Sequence, residues 1–198
     1  MLNLNTPIEF TRDEQNTIRT IMNTKQGGNE RWDDNRARSI KNRICVHGLQ
    51  EQKCCCAYCE SLLRKGGVQI EHITPKSSTP DFVFEPDNLV ISCDCCNSPA
   101  IKGHKPIIEG GVEPVYRYNT FRIVHPRLDN PDDHIKYQDN ERILLDIPHC
   151  TDKGRYTIVF FHWNGKSAFL DRVQNATMRK LLSIDLTELI LEISTYQV

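Results

Sequence analysis

The sequence predicts an α+β chain built as one continuous unit, and three observations carry that expectation. Two Cys-x-x-Cys pairs, Cys56/Cys59 and Cys93/Cys96, stand 33 residues apart. Between them, two short β-prone runs, Val68 to Ile70 and Leu89 to Ile91, flank a loop holding Pro75, Pro80 and Pro86, the signature of a distorted hairpin. On either side of this region, apolar residues recur at helical spacing.

Taken in order, Thr11 followed three residues later by Glu14 is a capping-box start, and Ile18, Ile21 and Met22 continue the helical pattern until Gly27-Gly28. From Asn29 to about Gln52 the chain is charged, with Trp32, Ala37, Ile40, Ile44 and Leu49 spaced as on one amphipathic helix. Its bases Arg36, Arg38, Lys41 and Arg43 suit phosphates, although Glu30, Asp33 and Asp34 in the same segment favour a solvated face. The hairpin follows. Asn97 then opens a short helix expected to run to His104, with Pro99 tolerated in its first turn. Strand-like runs are expected at Phe121 to Val124, Ile143 to Asp146 and Tyr156 to Trp163, and helices from Ser167 to Leu182 and from near Asp185. The expected organisation is a helical N-terminal extension over 1–53, a core over 54–110, and an α/β C-terminal extension over 111–198 packed on it. The apolar stretch Leu181 to Ile193 fits core packing better than a docking helix.

With 25 basic and 26 acidic residues the net charge is -1, which excludes nucleic-acid binding by bulk charge and leaves only local contacts. No run approaches the roughly 18 apolar residues of a membrane span, and the first residues lack signal-peptide character, so the expectation is a soluble, cytoplasmic chain. Nine cysteines, an odd number, then favour metal binding over disulfides.

Two Cys-x-x-Cys knuckles suit tetrahedral zinc, since each brings two sulfurs to about 2.3 Å of one ion. The assigned ligands are Cys56, Cys59, Cys93 and Cys96, with Cys54, Cys55 and Cys95 as neighbours able to substitute if the register differs. A closed four-thiolate site has no open position for substrate, so its expected role is to hold hairpin and helix together.

Between the knuckles stands Ile70-Glu71-His72-Ile73-Thr74-Pro75-Lys76, a carboxylate beside an imidazole at a strand end. Adjacent strand residues face opposite ways, so both serve one site only if the strand ends and turns there. The order Cys56-x-x-Cys59, Glu71-His72-Ile73-x-Pro75, Asn88-Leu89 and Cys93-x-x-Cys96-Asn97, about a quarter of the chain, resembles the HNH (ββα-metal) endonuclease family. The resemblance implies a ββα-metal core in which His72 is the general base, Glu71 and Asn97 hold a catalytic Mg²⁺ or Mn²⁺, and Asn88 braces the loop orienting His72. Hydrolysing a phosphodiester does need a base titrating near neutrality and a cation for the developing charge, and a hard cation prefers oxygen ligands. One departure stands out. The family often has lysine three residues after the final Asn, whereas here the first lysine is Lys102, which implies an insertion. Lys102, His104 and Lys105, then Lys76, are the candidate phosphate contacts.

Cys-Ala-Tyr-Cys-Glu at Cys56 to Glu60, Pro75-Lys76-Ser77 and the His125-Pro-Arg-Leu-Asp-Asn-Pro131 run are further similar to the PtuB-type nuclease subunits of Septu and retron-associated anti-phage systems. That resemblance implies an ATPase partner of the PtuA type, and DNA as the substrate ahead of RNA. The histidines and acids of His125 to His134 are explained by a polar turn more simply than by a second metal site. Two alternatives stay open at this point: an RNA-cleaving toxin nuclease directed at tRNA, and a non-enzymatic zinc module, which would have no use for Glu71, His72 and Asn97 in this order.

Overall fold

The computed structural model describes residues 1–64, 66–181 and 186–194. Helix α1 (Arg12–Thr24) begins at the expected capping box: Thr11 Oγ1 accepts from the Glu14 amide at 3.3 Å, and Glu14 Oε2 accepts from the Thr11 amide at 2.8 Å. Such a cap contributes about 1 kcal/mol. The helix expected over Asn29 to Gln52 is instead two, α2 (Gly28–Trp32) and α3 (Arg38–Glu51), joined by a 3-10 turn over Asn35–Ala37. The break lies at Asp34, whose Oδ1 accepts from the Arg36 amide at 2.9 Å, a local bond that competes with helix propagation. Trp32, Ala37, Ile40, Ile44 and Leu49 are all buried, as their spacing predicts.

Strands β1 (Val68–His72) and β2 (Leu89–Cys93) pair antiparallel, with Ile70 opposite Ile91 and His72 opposite Leu89. This two-stranded sheet lies against α3, where a Cβ at Gly48 would come 2.5 Å from Ile91. Only glycine permits that approach. Helix α4 (Asp94–Asn97) follows β2 directly. The helix expected from Asn97 to His104 is therefore displaced towards the N-terminus. Cys93 is its N-cap, with Sγ accepting from the Cys96 amide at 3.4 Å, so the cysteine knuckle itself forms the helical turn. Ser98, extended at ψ 152° before Pro99, ends it.

Beyond this lie β3 (Ile108–Glu109) paired with β4 (Thr120–Phe121), then α5 (Pro131–His134), α6 (Asp152–Phe160), α7 (Lys166–Leu181) and α8 (Leu186–Ser194). The regular structure of the expected α/β C-terminal extension is thus mostly helical, with turns and loops over most of 111–150. Phe121 to Val124 forms a strand only at Thr120–Phe121, and Ile143 to Asp146 makes a single bridge, Tyr137 to Leu145. Tyr156 to Trp163 is helix α6 and its closing turn. Thr151 caps α6 by accepting from the Gly154 amide at 3.1 Å, and Gly154, Thr157, Ile158 and Phe161 are buried at helical spacing, so burial of one face overrides β propensity. Leu182 and Asp185, the expected end of α7 and start of the last helix, lie outside the described residues. Helix α8 packs on α3 and buries Ile193, in line with the core reading of that stretch. The main apolar cluster runs from Met1 and Leu4 through the knuckles and β2 to Phe161 and Ile193. A second cluster joins α1, α2 and α3 to Val83, Phe84 and Leu89. Among the described residues no helix is long and apolar enough to cross a membrane.

Candidate active site and thiolate cluster

The sulfurs of Cys56, Cys59, Cys93 and Cys96 lie within 4.8 Å of one another, and Cys59 Sγ is 3.7 Å from Cys93 Sγ. Sulfurs at 2.3 Å from a tetrahedral ion are about 3.8 Å apart, so this donor set fits zinc. The neighbours Cys54, Cys55 and Cys95 are not in the cluster. The first knuckle is tied to the sheet by the Ala57 amide donating to the Ile91 carbonyl at 3.0 Å. Contacts among the thiols pull Cys59 and Cys93 down, while burial raises Cys56 and neighbouring sulfurs raise Cys96. Four adjacent thiolates need a cation to coexist.

His72 ends β1 and is buried. Its Nε2 donates to the Val83 carbonyl at 3.0 Å, an assignment that leaves Nδ1 with the free lone pair. The Trp32 ring meets the imidazole edge-on, with centroids 4.5 Å apart. Helix α2 can bring Trp32 there because it starts at Gly28, where a Cβ would come 2.0 Å from the Lys76 carbonyl. Burial, then the charge of Lys76, holds the imidazole well below its usual range, so it is neutral near pH 7. Lys41 and Lys76 each lie over the Trp32 ring, 5.1 and 5.9 Å from its centroid. A cleft lined by Trp32, Asp33, Asp34, Arg38, Lys41 and Ile70 opens beside Lys41.

The loop that presents Val83 is fixed by Asn88, which is fully buried. Its Oδ1 accepts from the Thr74 amide at 2.6 Å, the Thr74 hydroxyl at 3.0 Å and the Tyr116 hydroxyl at 3.0 Å, while its Nδ2 donates to the Phe82 carbonyl at 2.9 Å. Behind it, His125 Nδ1 accepts from the Arg127 and Leu128 amides and its Nε2 donates to Tyr116 Oη at 2.9 Å. The His125 to Asn130 segment is thus a turn that supports the site, running into α5. Among the described residues, the four cysteines are the one group of His, Cys, Asp or Glu arranged to hold a metal. Sequence reasoning missed Trp32, Val83, Tyr116 and His125; a backbone carbonyl leaves no signal in sequence, and a lone Tyr or His gives a weak one.

Glu71 precedes His72 at the end of β1. Its carboxylate is buried against the Lys102 ammonium, an ion pair closed by Lys102 Nζ donating to the His72 carbonyl at 2.9 Å. Burial pushes the Glu71 carboxyl up, and Lys102 opposes that. Asn97 Nδ2 donates to Gln69 Oε1 at 2.5 Å. The Glu71 carboxylate is thus taken up by the Lys102 ammonium, while the amide nitrogen of Asn97, on α4, is held by Gln69 of β1. Among the candidate phosphate contacts, Lys102 is not a surface base. His104 and Lys105 are exposed, and Lys76 is half-buried near both Glu71 and His72.

The chain is similar to the Septu protein PtuB of Bacillus thuringiensis. The two are 28% identical over 162 residues, 81% of this chain and 52% of that protein. The chain thus spans about half the length of that relative. No protein-family model matches this chain.

Proposed function

We propose that this chain is an HNH-type endonuclease of the ββα-metal class, with His72 as the general base that activates water to cut a phosphodiester bond. The observation that carries the reading is the fixed tautomer of a neutral imidazole, with Nε2 committed to the Val83 carbonyl and Nδ1 left to take a proton. Lys41 and Lys76, beside the ring that covers His72, are the cations suited to the phosphate. Zinc, held by Cys56, Cys59, Cys93 and Cys96, supplies folding energy and has no open position for chemistry. Since Glu71 is paired with Lys102, no step of this mechanism is routed through Mg²⁺ or Mn²⁺ at Glu71 and Asn97.

The similarity to a Septu protein supports placing this nuclease in an anti-phage defence complex with an ATPase subunit of the PtuA type. A net charge of -1 agrees with a partner supplying much of the grip on nucleic acid. DNA is the proposed substrate. Incubating plasmid DNA and total tRNA with the wild type and with His72→Ala, each with and without the ATPase subunit, tests the reading. Plasmid cutting that vanishes with His72 supports it, and cutting of tRNA alone moves the substrate to RNA. If nothing is cut in any mixture although zinc is bound, the non-enzymatic zinc module takes its place.

A further inference from the structure

We infer that Lys102 is the resident cation of Glu71, standing where the family pattern calls for a divalent metal. This rests on the reading of Glu71 and His72 as one site. Lys102 is 1% exposed and Glu71 5% exposed, so neither charge is met by water. A buried ammonium persists only when paired and hydrogen-bonded, and Lys102 has both the Glu71 carboxylate and the His72 carbonyl. The pair is neutral overall, which removes the charge that would attract a divalent ion. Among the described residues, no cluster of three or more acids or histidines gathers at Glu71 as the cysteines gather around one another. Asn97, the other expected ligand, is held by Gln69 through its amide nitrogen. A hard cation such as Mg²⁺ binds through at least one free carboxylate, and that of Glu71 is paired with Lys102.

The position of Lys102 explains the departure from the family spacing. Helix α4 ends at Asn97, and the turn through Pro99 carries the chain back so that the fifth residue after Asn97 reaches under β1. By holding the His72 carbonyl and its neighbour's carboxylate together, Lys102 fixes the end of the strand that presents the imidazole. It is a positioning residue, and its charge is built in and not recruited from solution.

The test uses the full zinc-loaded chain. Free Mn²⁺ is followed by electron paramagnetic resonance as protein is added, and the Lys102 ammonium is followed by ¹H–¹⁵N correlation while Mg²⁺ is titrated. The wild type and Glu71→Gln should take up Mn²⁺ alike, and the slowly exchanging Lys102 signal should be unmoved by Mg²⁺. Lys102→Met should gain a Mn²⁺ site tighter than any in the wild type by about tenfold or more, because a neighbouring positive charge has been removed, and Glu71→Gln added to it should abolish the gain. Mn²⁺ uptake by the wild type that is lost in Glu71→Gln, or loss of the Lys102 signal on adding Mg²⁺, overturns the inference. Should Lys102→Met fail to bind zinc or fold, the Mg²⁺ titration of the wild type decides alone. An inactive chain in the cleavage assay would remove the nuclease reading and leave the binding result standing.

Discussion

Asn88 and His72 are held by consecutive carbonyls of one turn. Asn88 Nδ2 donates to Phe82 at 2.9 Å, and His72 Nε2 donates to Val83 at 3.0 Å. Asn88 and His72 are thus joined through one turn without touching each other.

Asn88→Ala should therefore act on both stability and chemistry. It leaves the Thr74 amide and the donor hydrogen of the Tyr116 hydroxyl without an acceptor in a buried setting, at a cost of about 2 to 4 kcal/mol. Urea denaturation should show that loss, and cleavage at a temperature where the variant is folded should fall as well. A variant as stable as the wild type would contradict the bracing role.

Cys59→Ser should lose zinc and stability together. Metal analysis should fall from about one zinc per chain, and a chelator should unfold the wild type to the same state. A variant that keeps its melting temperature after losing the metal would show that the cluster does not hold the fold.

The guanidinium of Arg127 donates to both carboxylate oxygens of Glu51, at 3.0 and 2.7 Å, and its Nε donates to the Leu89 carbonyl at 3.1 Å. The two side chains are only 3% and 9% exposed, so this pair ties α3 and β2 to the turn that carries His125. Arg127→Ala should cost about 3 to 5 kcal/mol by stranding Glu51, and Arg127→Met combined with Glu51→Leu should recover part of it. A loss within 1 kcal/mol, read from urea denaturation at pH 7, would refute the assignment.

Acid should destabilise the fold through His125. Burial, then the charges of Lys153 and Arg127, holds its folded-state value well below the usual one. The stability this provides is complete above the unfolded value of about 6.5, and is lost as pH falls below it, because the unfolded chain takes up the proton first. His125→Asn should flatten the decline in unfolding free energy between about pH 6.5 and 5.5, by up to about 1.4 kcal/mol per pH unit. Parallel curves for the two proteins would contradict this.

Much of the architecture could be read from local chemistry. Thr11 and Glu14 announce α1, the cysteine spacing announces the thiolate cluster, and the β-prone runs announce the hairpin. What could not be read depends on tertiary context. Tyr156 to Trp163 has strand-forming residues, yet becomes helical because Thr151 caps it and one face is buried. The Asn29 to Gln52 segment breaks because a single aspartate turns back on its own backbone. Lys102 looks in sequence like a solvated base, and only the return of the chain after Pro99 places it beneath Glu71.

The most direct test of the base assignment is plasmid cleavage under single-turnover conditions by His72→Ala, with and without added imidazole. Cutting should fall to background and be partly restored by imidazole, as the base assignment requires. Cutting by His72→Ala at the wild-type rate would contradict it.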